Sequence, residues 1–514
     1  MLFSHLSAAT RRALPALLLA ASLTGHAQEL TLRGVPGPTP VVPLEGQGYY
    51  VLYRSEAGED GRDLYAMWIL DPELKVRYEY VLPLPVGTYQ PQLLPARNTF
   101  GLAFSTSRGM SLHTFNPSTG AHLMLEAGSA PDRQRQPTSQ PYVVGTPAEG
   151  YCFVQAYASR DTTGYRISVY DAALQPKWTR LYFPTSPRHQ QLSRVVVTRD
   201  MIAGVLTDSY RVKAGTREER TQTDQYVVGF DAASGKELFR KPLPGTALPA
   251  LQPHLLTGLT DGRVAITGTA FATRSMRSDS TLGLFLTIYR PDGSNTPPAL
   301  TTWPELSQRL GNPELEKLLR EGRLRPTVHE LYSPTGTDVR IVAECPSGSN
   351  APAQFMVLQY DASGQRTALY PITRSLRAPD PGSRYLGLAG RQSPEPYLLY
   401  SGQEPGASFV YATTLNETAS RTAVRGAILL DKLPEAAPPP KQMPADPISG
   451  ALSAFSRQVK AVDANLNRAT QGEPVETYRY DGGLGFASTG PRQTVVYRYE
   501  AAHKQLRLFV QPLQ

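Results

Sequence analysis

The chain repeats one phrase: a β-rich run, an Asp-centred turn, then a second β-rich run. The clearest copy is YVVGFDAASGKELFRKPL, from Tyr226 to Leu243. Others start at Leu64, Met110, Arg166 and Phe355, with weaker copies from Leu284, Phe409 and Thr494. One such hairpin cannot bury its own apolar face, so copies recurring every several tens of residues must stack or close into a ring. The expectation is an all-β fold: a single β-propeller of about eight, alternatively seven, four-stranded antiparallel blades with small helical insertions. Propellers host many unrelated functions, so function has to come from sites rather than from the fold.

Each repeat parses as four short strands, the last two forming the quoted hairpin. In the third unit these are Pro141 to Gly145, Tyr151 to Tyr157, Tyr165 to Tyr170 and Lys177 to Phe183. An array of this kind accounts for 514 residues as one body, and 42 Gly, 46 Pro and 27 Tyr suit its turns and strands. Two helical insertions interrupt it. The first spans 303–325, where Asn312 is a cap, Pro313 opens a helix, Leu315, Leu318 and Leu319 share a face, and Gly322 ends it. The second spans 432–470, a Pro-rich linker from Leu433 to Pro447 followed by an apolar stripe of Leu452, Phe455, Val459, Val462 and Leu466.

The first 27 residues read as a signal peptide. Arg11 and Arg12 precede an apolar stretch from Ala13 to Leu23, and Gly25, His26 and Ala27 form a small-residue cleavage pattern. The mature chain, 28–514, is therefore expected to be exported and to be periplasmic, envelope-associated or extracellular. No segment reaches the length of a transmembrane helix. The formal charge of +8 falls to +6 without the two leader arginines. That charge permits anionic partners without demanding nucleic acid, and none is expected. Cys152 and Cys345 are the two cysteines. Both fall on second strands of distant blades, too far apart to bridge, so both are expected to be buried free thiols.

The hairpins resemble the quinoprotein (PQQ)-like propeller family. FDAASGKELF, Phe230 to Phe239, matches its hydrophobic, Asp, Ala, small, Gly and aromatic order; YDAALQPKW, Tyr170 to Trp178, keeps the Asp and the closing Trp; YDASGQ at Tyr360 keeps the turn. The resemblance implies an eight-bladed ring like that of quinone-dependent dehydrogenases or of related non-enzymatic envelope scaffolds. The enzymes use an adjacent Cys pair beside the quinone. This chain has none, so no cofactor is expected and the scaffold branch is favoured. Asp171, Asp231 and Asp361 are read as turn residues, with no catalytic residue assigned.

Other motifs fail. His329 and Glu330 open like a zinc-protease helix, but Ser333 stands where the second ligand belongs. His113 and His122 flank one hairpin without a third ligand, and no metal is expected. Glu56, Glu59, Asp60 and Asp63 crowd one segment and read as a solvated acidic loop.

The remaining signal is where long polar loops fall. In a meandering blade the second connection and the link to the next blade emerge on one face, opposite the short Asp-turns. Arg133, Arg135, Arg160, Arg188, Arg217, Arg220, Arg274 and Arg277 lie in such loops, as does His189. Clustered guanidinium groups suit carboxylate, sulfate or phosphate partners. The expected function is a non-enzymatic bacterial envelope scaffold, a monomer, that binds a protein or anionic surface polymer. The alternative is a glycan-active hydrolase or lyase with its site in the propeller funnel. A funnel lined by carboxylates, His and Tyr would favour the enzyme.

Overall fold

A computed structural model describes residues 29–428 and 484–512, apart from loop segments between the strands. The signal segment and the 432–470 insertion, with its Leu452–Leu466 stripe, lie outside the described residues. Those described form six four-stranded antiparallel sheets and one nine-stranded sheet. The first unit pairs Val41–Leu44, Gly48–Ala57, Arg62–Leu70 and Val76–Pro85 in order, and the later units repeat this meander. In the third unit the strands are Tyr142–Gly145, Tyr151–Ser159, Thr162–Tyr170 and Pro176–Tyr182, close to the expected limits.

The nine-stranded sheet joins the third unit to the fourth, which comprises His189–Val197, Met201–Ala214, Glu218–Asp231 and Glu237–Leu243. A single parallel contact, Thr163 to His189, bridges them, and the two-residue strand Gln136–Pro137 adds to the edge. The third strand of each unit returns by the tight Asp-turn, so these turns share one face and the second connections share the other.

Core clusters show that the units form a ring. One cluster joins Val42, Tyr50 and Met67 of the first unit to Phe100 and Leu102 of the second. Others link second to third, third to fourth, fourth to fifth, fifth to sixth and sixth to seventh. The last sheet closes the circle. Glu29–Arg33 pairs antiparallel with Gln505–Pro512, so the N-terminal strand completes a sheet otherwise made by the C-terminal segment. Leu32 packs there with Leu506 and Leu508, and Arg507 pairs with Glu29 at 2.7 Å. The pairing closes the ring. It removes two sheet edges that would otherwise be exposed. The architecture is a β-propeller.

The Asp-turn does two jobs. Within the turn, Asp231 Oδ1 accepts from Ser234 N at 2.7 Å and Ser234 Oγ at 2.6 Å, and Gly235 sits at φ +72°. Asp361 repeats this with Ser363, Gln365 and Gly364 at φ +80°. Where glycine is missing, Leu174 and Leu74 take the left-handed position at φ 59° and 62°. Both are buried, which offsets a conformation that β-carbons disfavour.

Between units, the turn docks on the outer strand of the preceding one. Trp178 Nε1 donates to Ala232 O at 3.0 Å, and Tyr182 Oη donates to Gly235 O. Tyr78 and Tyr80 do the same to Ser118 O and Gly120 O, each at 2.9 Å. The Asp carboxylates are thus consumed by turn amides, as the structural reading of Asp171, Asp231 and Asp361 requires.

The insertion after the fifth unit differs from expectation. Its helix is Trp303–Leu310, ahead of Asn312, with a further helical turn at Lys317–Leu319. A capping box explains the earlier start: Glu305 N donates to Thr302 Oγ1 at 3.4 Å, and Thr302 N donates to Glu305 Oε2 at 2.8 Å. Trp303, Leu306 and Leu319 are buried between the fifth and sixth units. Both cysteines are free and buried, on the second strands of the third and sixth units, as the sequence indicated.

Candidate functional site

First strands of neighbouring units contact one another around the ring, including His189–Val197 with Ala250–Gly258, and Ala250–Gly258 with Thr327–Tyr332. They therefore line the axis. This strand breaks register at a corresponding place on four consecutive units: between Tyr385 and Gly387 in the seventh and, in the fourth to sixth, between Ser193 and Val196, between Pro253 and Leu255, and between Val328 and Glu330. A bulge frees its extra residue from the ladder and re-aims the side chain. In the fourth to sixth units the residues so released are Arg194, His254 and His329, all half-buried.

Arg194 is held at φ 49°, in the left-handed region where a non-glycine residue is uncommon. Its Nε donates to His254 O at 3.1 Å, tying the fourth unit to the fifth. The His254 ring nitrogen Nε2 lies 2.8 Å from Thr269 Oγ1. Burial, with a smaller contribution from Arg194, lowers the His254 pKa to about 4, so its imidazole is neutral at pH 7. The Tyr142 phenol on the first strand of the third unit is pushed well above its ordinary value by burial, with Arg194 acting in the opposite sense. In the sixth unit His329 Nε2 contacts Glu344 Oε2 at 2.7 Å across the neighbouring strand. His329 and Glu330 thus sit on a strand, where the protease motif fails in geometry as well as in spacing.

A second polar group occupies the loop-rich face where the third and fourth units fuse. Arg188 is the one member of the arginine set whose side chain is described. Its Nη1 donates to Asp208 Oδ2 at 2.9 Å and its guanidinium lies 4.4 Å from the centre of the Tyr210 ring. Asp208 is almost fully buried, so Arg188 is committed to a carboxylate rather than offered to solvent. Asp224 stands opposite Asp208 in register and accepts from Tyr210 Oη at 2.8 Å and from Gln222 Nε2 at 3.2 Å. Arg133, Arg135, Arg160, Arg217, Arg274 and Arg277 lie outside the described residues. Arg220 is described only as a strand partner of Val212.

The acidic segment needs correction. Asp63 belongs to the strand Arg62–Leu70, is buried, and pairs with Arg54 at 2.7 Å, while Glu59 and Asp60 lie outside the described residues. Alternation along the strand turns Asp63 inward, which charge composition cannot reveal. His113 and His122 do meet, Nδ1 to Nε2 at 3.0 Å, and His113 Nε2 lies 2.9 Å from Ser111 Oγ. Both rings stack on Phe115, His113 buried and His122 exposed. Among the described residues no group of three or more His, Cys, Asp and Glu could hold a metal. No helix among them is long and apolar enough to cross a membrane.

No family model and no curated protein matches the chain. Among solved structures it is similar to a cobalt-substituted Synechocystis apocarotenoid oxygenase, at 13% identity and TM-score 0.38, over 77% of this chain and 92% of that one. It is similar to the β-propeller domain of the trilobed protease from Pyrococcus furiosus, at 11% identity and TM-score 0.39, over 77% and 96%. It is also similar to an ulvan lyase, a polysaccharide lyase, at 6% identity and TM-score 0.38, over 66% and 82%. The expectation of a non-enzymatic scaffold is corrected here: an oxygenase and a lyase are enzymes. At these scores the likeness carries no assignment of chemistry, which rests on the side chains of this chain. The quinoprotein resemblance is confined to the turn.

Proposed function

We propose that the protein is a glycan-active enzyme with its site at the channel wall, acting as a lyase on a uronate-bearing polymer. The observation that supports this most is Arg194. A non-glycine residue in the left-handed region, at a bulge, with its guanidinium spanning two units, is costly backbone that the surrounding fold maintains. Such strain concentrates at functional sites.

The side-chain set favours elimination over hydrolysis. Glycoside hydrolysis ordinarily needs two carboxyl groups flanking the bond. The bulges instead supply a guanidinium and imidazoles. Arg194 meets the uronate carboxylate and stabilises the charge that develops when the C5 proton leaves. With Nε2–H donated to Thr269, His254 Nδ1 carries the lone pair that takes that proton. The C4–O bond then breaks, a C4–C5 double bond forms, the departing sugar oxygen takes up a proton from water, and His254 returns the C5 proton to solvent. A carboxylate seated on Arg194 also removes part of the field that depresses His254, so substrate binding raises the basicity of the imidazole.

The finer architectural reading belongs to the same proposal. Counting the nine-stranded sheet as two blades gives eight. Residues 1–27 direct export, which places the enzyme where extracellular or envelope glycans are found.

The test is incubation of the mature protein with a panel of uronate-containing polysaccharides, following ultraviolet absorbance of the new conjugated double bond and reducing ends separately. Both signals should rise together, and Arg194→Gln and His254→Asn should each lower turnover by about 100-fold or more with the fold intact. Reducing ends without absorbance would indicate a hydrolase. Activity indifferent to both substitutions would remove this site.

A further inference from the structure

We infer that His113, His122 and Met124 form a binding site for copper(I) at the outer edge of the second unit. They come from its third and fourth strands, Gly109–Phe115 and His122–Gly128. Pairing sets His122 opposite Phe115 and Met124 opposite His113. Alternation then puts all three side chains on one face of the sheet, the face on which both histidines stack with Phe115. Directly opposed β-carbons lie about 5 Å apart, within reach of a flexible thioether, so register supplies the third ligand that the two histidines lack in sequence. His122 and Met124 are both exposed, Met124 at 56%, so an ion reaches them from solvent without any opening of the core.

The imidazoles are spaced for a shared ion. His113 Nδ1 and His122 Nε2 stand 3.0 Å apart, with the rings 10° from parallel. Two nitrogens that each lie about 2.0 Å from one metal ion are separated by roughly that distance. Ser111 Oγ lies 2.9 Å from His113 Nε2. With that nitrogen donating to Ser111, the Nδ1 lone pair of His113 faces His122, which is the outer hydrogen bond that orients a ligating histidine. His122 then needs only to carry its proton on Nδ1 to turn a second lone pair inward. Burial lowers both histidines from the ordinary range, His113 to about 4, so at pH 7 the ion does not compete with protons.

The donor set selects the ion. Two neutral imidazoles and a thioether bring no negative charge, and thioether sulfur favours copper(I) over hard dications. Zinc is served by imidazole with thiolate or carboxylate, and among the described residues no three of His, Cys, Asp and Glu are grouped to supply such a set. Phe104 meets His113 edge-on at 5.4 Å and Tyr80 meets His122 edge-on at 5.8 Å. These rings make the inner wall of the site apolar, which favours the ion of lower charge.

The probe is copper(I), held reduced by ascorbate without oxygen and offered to the protein at pH 7 in competition with the chromophoric chelator bicinchoninate. One equivalent should bind, and X-ray absorption should show two nitrogens and one sulfur around copper. Met124→Leu conserves volume at an exposed position, so the fold is kept; it should weaken binding about tenfold and remove the sulfur. His122→Gln should weaken binding about 100-fold, and Ser111→Ala, which touches no metal, about tenfold. Should His122→Gln loosen the hairpin in circular dichroism, Met124→Leu still decides. Copper held elsewhere, on the buried thiols of Cys152 or Cys345, would ignore Met124→Leu and His122→Gln alike, and that result overturns the inference. So does a native protein that takes up no copper(I), or one that binds zinc at these histidines as tightly with Leu at position 124 as with Met.

Discussion

Gly235 and Gly34 offer a controlled comparison of what the Asp-turn requires. Their backbones are nearly the same, φ +72° and +76°, but their surroundings differ. A β-carbon on Gly34 meets nothing within 4 Å, whereas one on Gly235 falls 2.6 Å from Cζ3 of Trp178. Gly34→Ala therefore isolates the backbone term, about 1 kcal/mol for a left-handed alanine after the entropy it removes from the unfolded chain. Gly235→Ala carries the same term and also displaces the indole. Moving it weakens the bond from Trp178 Nε1 to Ala232 O, about 1 kcal/mol, and overpacks the joint by a further 1–3 kcal/mol. The expected cost is about 3–5 kcal/mol for Gly235→Ala against about 1 kcal/mol for Gly34→Ala. Equilibrium urea unfolding read by tryptophan fluorescence measures both, and Trp178 is itself a reporter. A double-mutant cycle with Trp178→Phe should show coupling, since the smaller ring makes room. Equal costs for the two glycine variants would refute the claim that inter-unit docking, rather than turn conformation alone, demands glycine at 235.

Three further outcomes follow from buried ionisable groups. His113 is buried with its pKa lowered to about 4, chiefly by desolvation and then by His122. A histidine depressed on folding contributes stability that is complete above its unfolded pKa near 6.5 and is lost as pH falls towards 4. Urea midpoints should thus drop between pH 7 and pH 4.5 by up to about 3 kcal/mol from this residue, and His113→Gln should flatten the drop. The Cys152 and Cys345 thiols are both pushed up to about 12 by burial. At pH 8 the native protein should resist a thiol reagent, then titrate two thiols after denaturation; a Cys152–Cys345 bridge in protein purified without reductant would contradict the strand placement. Arg188→Ser should cost about 3 kcal/mol because it strands the buried Asp208 carboxylate, far more than the roughly 0.5 kcal/mol of an exposed loop arginine. A neutral result in thermal or urea unfolding would show that Asp208 is solvated.

The recurrence of FDAASGK-like turns made the all-β repeat legible, because Asp, a small residue and Gly specify a tight turn through bonds made within five residues. The same locality makes the four strands of the third unit readable to within three residues, and makes the cysteines readable as second-strand core. Closure as such was also inferable, since an open ring leaves edges. The helix at Trp303 was signalled by Thr302 and Glu305, but the later Asn312–Pro313 pattern competes with it in sequence. What no linear pattern contained was the channel wall. Arg194, His254 and His329 are separated by about 60 and 75 positions, and each is distinguished only by a bulge that pairing with a neighbouring strand creates. Arg188 reads as a loop cation until Asp208, twenty residues away, is buried beside it. Sequence fixes what neighbours in the chain can do for one another; which distant charges meet, and which buried atoms are left wanting, is decided when the ring closes and water is excluded from its joints.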